Sequence, residues 1–195
     1  AERTHVFHSS GTTEQRPSRH FHNAQSLAVY EASLWEGGGE NLRLAGDDWR
    51  CLSLTPPPAQ APHSSLVYMF DFMRQKLAAA PGAFVGRGGD DGAWTVDPDA
   101  ALAALTLNDS RPLLVLGTAF AYVHLLEAMA ASGVRLRLPS GSRVLETGGY
   151  KGRSRALPKA ELHALISDRL GVPAAHIVCE YGMSELSSQA YDSAG

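Results

Sequence analysis

Short strand-like runs alternate with longer helix-like segments along the whole chain, and this alternation constrains the fold more than any other feature. Trp49–Leu54 and Pro112–Gly117 are apolar runs typical of strands buried in a sheet. Amphipathic segments follow them, such as the one in which the apolar residues Met69, Phe70 and Met73 recur at helical spacing. The alternation predicts an α/β fold in which a mostly parallel sheet carries helices on both faces.

Capping residues and chain breakers set the boundaries of these segments. The predicted strands are Thr4–His8, Trp49–Leu54, Ala83–Arg87, Trp94–Val96, Pro112–Gly117, Arg143–Glu146 and His176–Glu180. The predicted helices are Ala24–Glu36, Ser65–Ala79, Pro98–Leu107, Thr118–Ser132 and Pro158–Leu170. Asn23 and Asp97 are predicted N-caps, and Gly37-Gly38-Gly39 is predicted to end the first helix.

Four loops of this arrangement follow predicted strands. They are Ser9–Thr13, Pro56–Ser65, Thr147–Gly149 and Tyr181–Glu185. Right-handed crossovers bring the loops that follow parallel strands to one edge of the sheet. Open α/β sheets bind their ligands at that carboxyl edge, so we expect a single site built from segments far apart in the sequence.

The first of these loops has the composition of a phosphate-binding turn. Gly11 allows the backbone to approach a ligand closely, and the hydroxyls of Ser9, Ser10, Thr12 and Thr13 surround it in sequence. No Lys-Ser or Lys-Thr follows the glycine at the spacing of the common nucleotide-binding phosphate loop. By itself, a cluster of Ser, Thr and Gly is more often an ordinary polar loop.

The last of these loops supplies carboxylates near the other end of the chain. An apolar run, Ala175–Cys179, is followed by Glu180-Tyr181-Gly182, and a second carboxylate comes at Glu185. Carboxylates bind Mg²⁺ together with substrate phosphates, so a phosphate-binding turn and Glu185 predict nucleotide chemistry.

Taken together, the two loops resemble the adenylate-forming superfamily of acyl- and aryl-CoA ligases, luciferases and adenylation domains. Three further stretches are similar to the acyl-protein synthetase family, typified by the bacterial bioluminescence fatty-acid synthetase component, and to phenylacetate-CoA ligase-like enzymes. These stretches are Leu52–Pro56 with His63–Met69, Glu146–Arg155, and Glu180–Tyr191. The resemblance extends from Val6 to Tyr191.

The resemblance implies the core of the large N-terminal domain of adenylate-forming enzymes, with ATP and Mg²⁺ as cofactors. Such enzymes activate a carboxylic acid, a fatty acid in the bioluminescence family, as an acyl-adenylate and release pyrophosphate. The acyl group then passes to a thiol of a protein or of CoA. A partner protein that transfers or reduces the acyl group is also implied.

Residue roles follow from the same resemblance. The residues assigned to ATP binding are Ser9, Ser10, Gly11, Thr12, Thr13, Gly148, Gly149, Glu180, Tyr181, Gly182 and Met183. Tyr181 is expected to lie against the adenine, since a tyrosine ring is a flat apolar surface with a polar tip. Ser184 is expected to bind the α-phosphate and Glu185 to hold Mg²⁺. His63 either lines the acyl pocket or packs at the start of a helix.

Two departures from the family pattern lead to an alternative. The superfamily continues its phosphate loop with glycine and lysine, whereas Glu14 follows here and Arg16 is the nearest cation. The expected ribose-binding aspartate and the lysine of the C-terminal lid domain are not present before Gly195. We therefore expect residues 1–195 to be one α/β domain, the central part of a longer enzyme. The alternative is a non-catalytic nucleotide- or acyl-binding module.

Composition and charge limit the partners and the cellular compartment that are expected for the protein. The chain has 195 residues, 44% of them hydrophobic, and a formal net charge of −3, which gives no general attraction to nucleic acid. No apolar run approaches the roughly 20 residues of a membrane helix, so no membrane insertion is expected. Cys51 and Cys179 lie in apolar runs and are predicted to be buried thiols, which indicates a cytoplasmic protein.

Overall fold

The structure, a computed structural model, describes most of the chain. It covers residues 2–9, 18–44, 46, 48–77, 83–89, 93–148, 156–183 and 188–193. Of the candidate site residues, Ser10, Gly11, Thr12, Thr13, Gly149, Ser184 and Glu185 lie outside the described residues. Among the described helices, none combines the length and the hydropathy that a membrane crossing requires.

Strands and helices alternate as the sequence predicts. The helices are α1 (Ala24–Leu42), α2 (Ser65–Lys76), α3 (Pro98–Leu105), α4 (Ala119–Ala131) and α5 (Lys159–Leu170). The strands are β1 (His5–His8), β2 (Arg19–His22), β3 (Arg50–Ser53), β4 (Ala83–Phe84), β5 (Gly86–Gly88), β6 (Trp94–Val96), β7 (Leu113–Thr118), β8 (Arg143–Thr147), β9 (Ile177–Met183) and β10 (Ser188–Ser193).

A central sheet of six strands has the order β10-β9-β8-β7-β3-β4. Every neighbouring pair in it is parallel except β9 and β10, which are antiparallel. This confirms the predicted α/β fold with a mostly parallel sheet. The carboxyl ends of β8 and β9 are neighbours, because Thr147 pairs with Glu180.

Two apolar layers cover the faces of the sheet, as predicted. On one face, Leu34 of α1 and Phe70 of α2 are fully buried together with Leu145 of β8. On the other face, the buried residues come from α3, α4 and α5, and Tyr122 is the largest of them. The Tyr122 hydroxyl lies 2.9 Å from the carbonyl oxygen of Val115, which satisfies this polar atom inside the core.

The predicted helix starts are confirmed by their caps. The side chains of Asn23, Ser64, Asp97 and Thr118 each accept a hydrogen bond from a backbone N–H in the first turn of α1, α2, α3 and α4, respectively. Each cap satisfies one of the N–H groups that a helix start leaves without an intrahelical partner.

The predicted end of α1 at Gly37-Gly38-Gly39 is wrong, because the helix continues to Leu42. These glycines serve close packing and not helix termination. A Cβ on Gly37 would lie 2.9 Å from a ring carbon of Tyr191, and one on Gly38 would lie 2.5 Å from the Met73 methyl group. Their missing side chains let α1 pack tightly against β10 and α2, and this contact outweighs the weak helix propensity of glycine.

Three strand predictions also need correction. The first strand, β1, does not join the central sheet but forms an antiparallel hairpin with β2, which was not predicted. The segment predicted as the strand Ala83–Arg87 is divided between the central sheet and a second hairpin. Strand β9 does not end at Glu180 but runs to Met183 and pairs with β10, also unpredicted.

Candidate functional site

A small cavity lies where the carboxyl ends of β8 and β9 meet the first turn of α2. Its volume is about 70 Å³. The described residues that line it are Tyr30, Ser65, Leu66, Met69, Thr147, Glu180, Gly182 and Gln189. They come from α1, α2, β8, β9 and β10, so the cavity joins segments that are far apart in the sequence, at the edge where α/β proteins bind ligands.

Glu180 is the charged group of this cavity. Its side chain is only 3% exposed, and it projects toward α1 and α2 beside Thr147 of the neighbouring strand. Burial raises the pKa of Glu180 to about 7, the negative charge of Glu146 adds to this effect, and a hydrogen bond with the Thr147 side chain opposes it. A carboxyl group with a pKa near neutrality, in a cavity, is a typical feature of a functional site.

The glycine at position 182 makes room for this carboxyl group. A Cβ on Gly182 would lie 2.3 Å from Oε1 of Glu180, because the two residues are on the same face of β9. Gln189 pairs with Gly182 across the strands, and its buried Oε1 has no hydrogen-bond partner among the described residues. Glu180 and Gln189 are therefore two of the polar side chains that border the cavity, and Gln189 carries an acceptor atom that no described residue satisfies.

Tyrosines from two elements surround Glu180. Tyr30 of α1 lines the cavity and is 5% exposed. Tyr191 of β10 pairs with Glu180, and its buried hydroxyl has no hydrogen-bond partner within the described ranges. Burial and then the charge of Glu180 raise the pKa of both phenols, so both hydroxyls keep their protons at neutral pH.

The hairpin of β1 and β2 is attached to the loop before α2. The backbone N–H of His8 donates to the His63 carbonyl oxygen at 2.9 Å, and His63 Nδ1 lies 3.1 Å from the carbonyl oxygen of Val6. The rings of His8 and His63 stack with their centroids 4.4 Å apart. His63 therefore holds the hairpin in place, and it is not among the described residues that line the cavity.

Ser9 lies where the hairpin closes. Its hydroxyl is 2.7 Å from the hydroxyl of Ser18 and accepts a hydrogen bond from the Ser18 N–H. The segment predicted to bind phosphate, Ser9–Thr13, thus begins within a hairpin connection and not after a strand of the central sheet. Because Ser18 can be the donor to Ser9 in both contacts, the Ser9 O–H can still donate a hydrogen bond to a phosphate.

The remaining predicted residues lie around the ends of β8 and β9. Tyr181 is 66% exposed and points to the opposite face of the sheet from Glu180, so its ring is free to contact a ligand. Gly148 directly follows β8, and a Cβ there would meet nothing within 4 Å. Met183 is the last residue of β9.

Of the eight described residues that line the cavity, only Glu180 and Gly182 were predicted as site residues. Ser65 and Thr147 belong to loops expected at this edge, and Leu66 and Met69 to the predicted helix that follows. Tyr30 belongs to the apolar stripe of α1, where a tyrosine has no feature that distinguishes it from a core residue. Gln189 lies on a strand that was not predicted, and its signal was the alternation of Gln189 and Tyr191 with the small residues Ser188 and Ala190.

A second polar cluster lies on the other face of β8 and β9. Glu146 is 3% exposed and its Oε2 is 3.4 Å from Nε2 of His163 on α5. Burial, followed by the charge of Glu146, raises the pKa of the Cys179 thiol to about 12, so it stays protonated. At the rim, Lys159 pairs with Asp192. These contacts form a structural network that joins α5 to the sheet.

A larger cavity, of about 250 Å³, is found at the amino ends of β8 and β9. Arg143 lies beside it and bonds to the carbonyl oxygens of Leu42 and Gly141, with His176 Nδ1 2.7 Å from its Nη1. The guanidinium is therefore already used to join three segments of the fold. The carboxyl edge, with its unsatisfied acceptor and its raised carboxyl pKa, is the stronger candidate for a functional site.

The described residues do not contain a cluster of three or more His, Cys, Asp or Glu side chains able to hold a metal ion.

Burial raises the pKa of Cys51 to about 12 as well, so neither thiol is activated as a nucleophile. The cavity offers acceptors and neutral hydroxyls, which can recognise and orient a small polar molecule.

No protein-family model matches the chain, and no curated protein is a significant match. Among solved structures, the chain is similar to a 2-hydroxyisobutyryl-CoA ligase in an open conformation with 2-HIB-AMP and CoA, with a TM-score of 0.63 and 16% identity over 95% of this chain and 35% of that one. It is also similar to a long-chain-fatty-acid-CoA ligase from Archaeoglobus fulgidus, with a TM-score of 0.59 and 15% identity over 93% of this chain and 31% of that one.

The chain spans about a third of the length of these two ligases. At such low identity, the likeness concerns the fold. The mixed, mostly parallel sheet and its covering helices are similar in fold to the matched parts of these two CoA ligases.

Proposed function

We propose that the protein activates a carboxylic acid with Mg-ATP as an acyl-adenylate and that the acyl group then passes to a thiol. The observation that carries the proposal is the location of the Glu180–Met183 segment. It runs along the carboxyl end of the sheet, beside the end of β8, in a fold shared with two CoA ligases. Residues 1–195 are proposed to be the central part of a longer enzyme.

The chain's own residues would bind and orient the reactants. The hydroxyls of the Ser9–Thr13 segment would hold the β- and γ-phosphates, and Tyr181, which is exposed, would contact the adenine. Gly148 leaves open space where the adenine and acyl groups would share a wall. Attack of one anion on another depends mainly on positioning and charge neutralisation, which these groups would supply.

Mg²⁺ would reduce the repulsion between the substrate carboxylate and the phosphates. Glu185 is the proposed ligand, and Ser184 the proposed contact to the α-phosphate. One carboxylate is sufficient for such a role, because Mg²⁺ in nucleotide sites is held largely by substrate phosphates and water.

The acid and the acceptor are proposed from the sequence resemblance, which implies an acyl-protein synthetase that acts on a fatty acid. The two similar ligases are named for different acids, one a branched hydroxy acid and the other a long-chain fatty acid. The fold alone therefore does not identify the acid substrate. The acceptor thiol would be that of a protein or of CoA.

One observation favours the alternative of a non-catalytic binding module. Glu14 occupies the position at which the family pattern has a glycine. A module of this kind would bind nucleotide or acid without forming an adenylate.

Carboxylate-dependent exchange of labelled pyrophosphate into ATP separates the two functions. The assay is best made with the product of the complete reading frame, across acids of several lengths, and repeated with Glu185→Ala. We expect exchange that requires an acid and that falls by about 10²–10³ in the variant, the usual effect of losing one charge-stabilising group. Exchange that is absent with every acid, although ATP binds, would indicate the module instead.

A further inference from the structure

The size of the cavity beside Glu180 limits the group that it can accept. Its volume of about 70 Å³ is roughly half of the ~150 Å³ that holds a benzene molecule in an engineered protein cavity. A group of a few non-hydrogen atoms fits in such a space, whereas a long alkyl chain does not.

The polarity of the cavity narrows the choice further. Glu180 and Gln189 border it, and no described residue bonds to the buried Oε1 atom of Gln189. An alkyl group placed there would leave these oxygens desolvated and unpaired, which is unfavourable. A hydroxyl or an ammonium group would instead donate hydrogen bonds to them.

The charge of the lining sets the orientation of the ligand. No Lys, Arg or His is found among the described residues that line the cavity, and Glu180 is its charged group. A substrate carboxylate inside the cavity would face Glu180 without a cation to neutralise it. With respect to the described lining residues, the charge therefore favours the opposite end of the acid inside the cavity and the reacting carboxylate outside it.

We propose that this cavity is the specificity pocket for the acid, and that it takes the end of a short carboxylic acid that carries a hydroxyl or ammonium group. Glu180 and Gln189 accept hydrogen bonds from that group, and Gly182 leaves the space that the Glu180 carboxyl needs. The inference rests on the proposed acid-activating function, and it replaces a fatty acid with a short polar acid as the substrate class.

Ligand-observed saturation-transfer NMR on residues 1–195 without ATP tests the pocket directly. The probes are glycolate, lactate, glycine and β-alanine, with propionate as the matched acid lacking a donor and dodecanoate as the long-chain acid. The proteins are the parent chain, Glu180→Gln and Gln189→Leu. Asp192→Asn is the matched control, since Asp192 is exposed on β10 and pairs with Lys159 on the other face.

We expect at least one of the four donor-bearing acids to bind more tightly than propionate. Glu180→Gln should raise its dissociation constant about tenfold, because the hydrogen bond then goes to a neutral amide oxygen instead of a charged carboxylate. Gln189→Leu should weaken binding as well, and Asp192→Asn should leave it unchanged. The proposal is overturned if none of the four acids binds, if dodecanoate is preferred, or if neither pocket variant changes the affinity.

Failure of this inference and failure of the proposed function give different results. Acid-dependent pyrophosphate exchange that requires a long-chain acid would keep the function and reject the pocket. Binding of a short polar acid that depends on Glu180, without exchange by the complete protein, would keep the pocket and reject the adenylate-forming activity.

Discussion

The buried Glu180 makes the stability of the fold depend on pH. Burial raises its pKa from 4.5 to about 7. Between these two pH values, the folded chain therefore holds a proton that the unfolded chain has released. This group therefore stabilises the fold most at low pH, and its contribution falls as the pH rises through about 7. A shift of this size corresponds to roughly 3 kcal/mol when it is complete.

Glu180→Gln removes this dependence because the amide carries no charge. At about pH 8 we expect the free energy of unfolding of the variant to exceed that of the parent chain by about 1–3 kcal/mol. The advantage should shrink by about 2 kcal/mol at about pH 5, where the parent Glu180 is protonated in the folded chain. Urea denaturation at both pH values measures the difference, with the exposed Glu161→Gln as the control. An equal difference at the two pH values would show that Glu180 is not buried in its charged form.

At the scale of elements, helix starts were more predictable than strand pairing. Asn23 and Ser64 act through bonds to residues three positions away, which a sequence reveals directly. The continuation of α1 through Gly37 depends on Tyr191, which is far away in the sequence, so it is not visible in the local pattern. The division of the predicted strand Ala83–Arg87 between two sheets also depends on a contact distant in the sequence, the close approach of Gly86 to Thr55.

Gly86 tests this view of glycine as a packing residue. A Cβ there would lie 2.3 Å from the Thr55 carbonyl carbon, a backbone atom that cannot rotate away. We expect Gly86→Ala to lower the free energy of unfolding by about 3 kcal/mol, in the upper range for overpacking. Gly88→Ala on the same strand is the control, because its nearest contact would be at 3.8 Å, and we expect a change within about 0.5 kcal/mol. Equal stability of the two variants would mean that the approach of Gly86 to Thr55 is not required.

At the scale of the whole molecule, the sequence predicted the edge of the sheet at which the cavity lies better than it predicted the residues that line the cavity. Parallel strands force their following loops to one edge, so the meeting of Thr147 with Glu180 follows from topology. The positions of Tyr30 and Gln189 beside the cavity do not follow from topology, because they depend on how α1 and β10 pack. The hairpin that contains Ser9 reaches this region through His63, a contact 57 residues apart that no local pattern reveals.

Calorimetric titration of residues 1–195 with Mg-ATP tests the central claim most directly, because it asks whether the Ser9–Thr13 and Tyr181–Glu185 segments bind a nucleotide. We predict measurable binding that Glu185→Ala abolishes. Ser10→Ala combined with Thr12→Ala should weaken it by at least tenfold, since each lost bond to a charged group costs about 1.5–3 kcal/mol. Glu161→Gln should bind like the parent chain. Absence of binding by the folded parent chain, or affinities unchanged in both site variants, would contradict the claim.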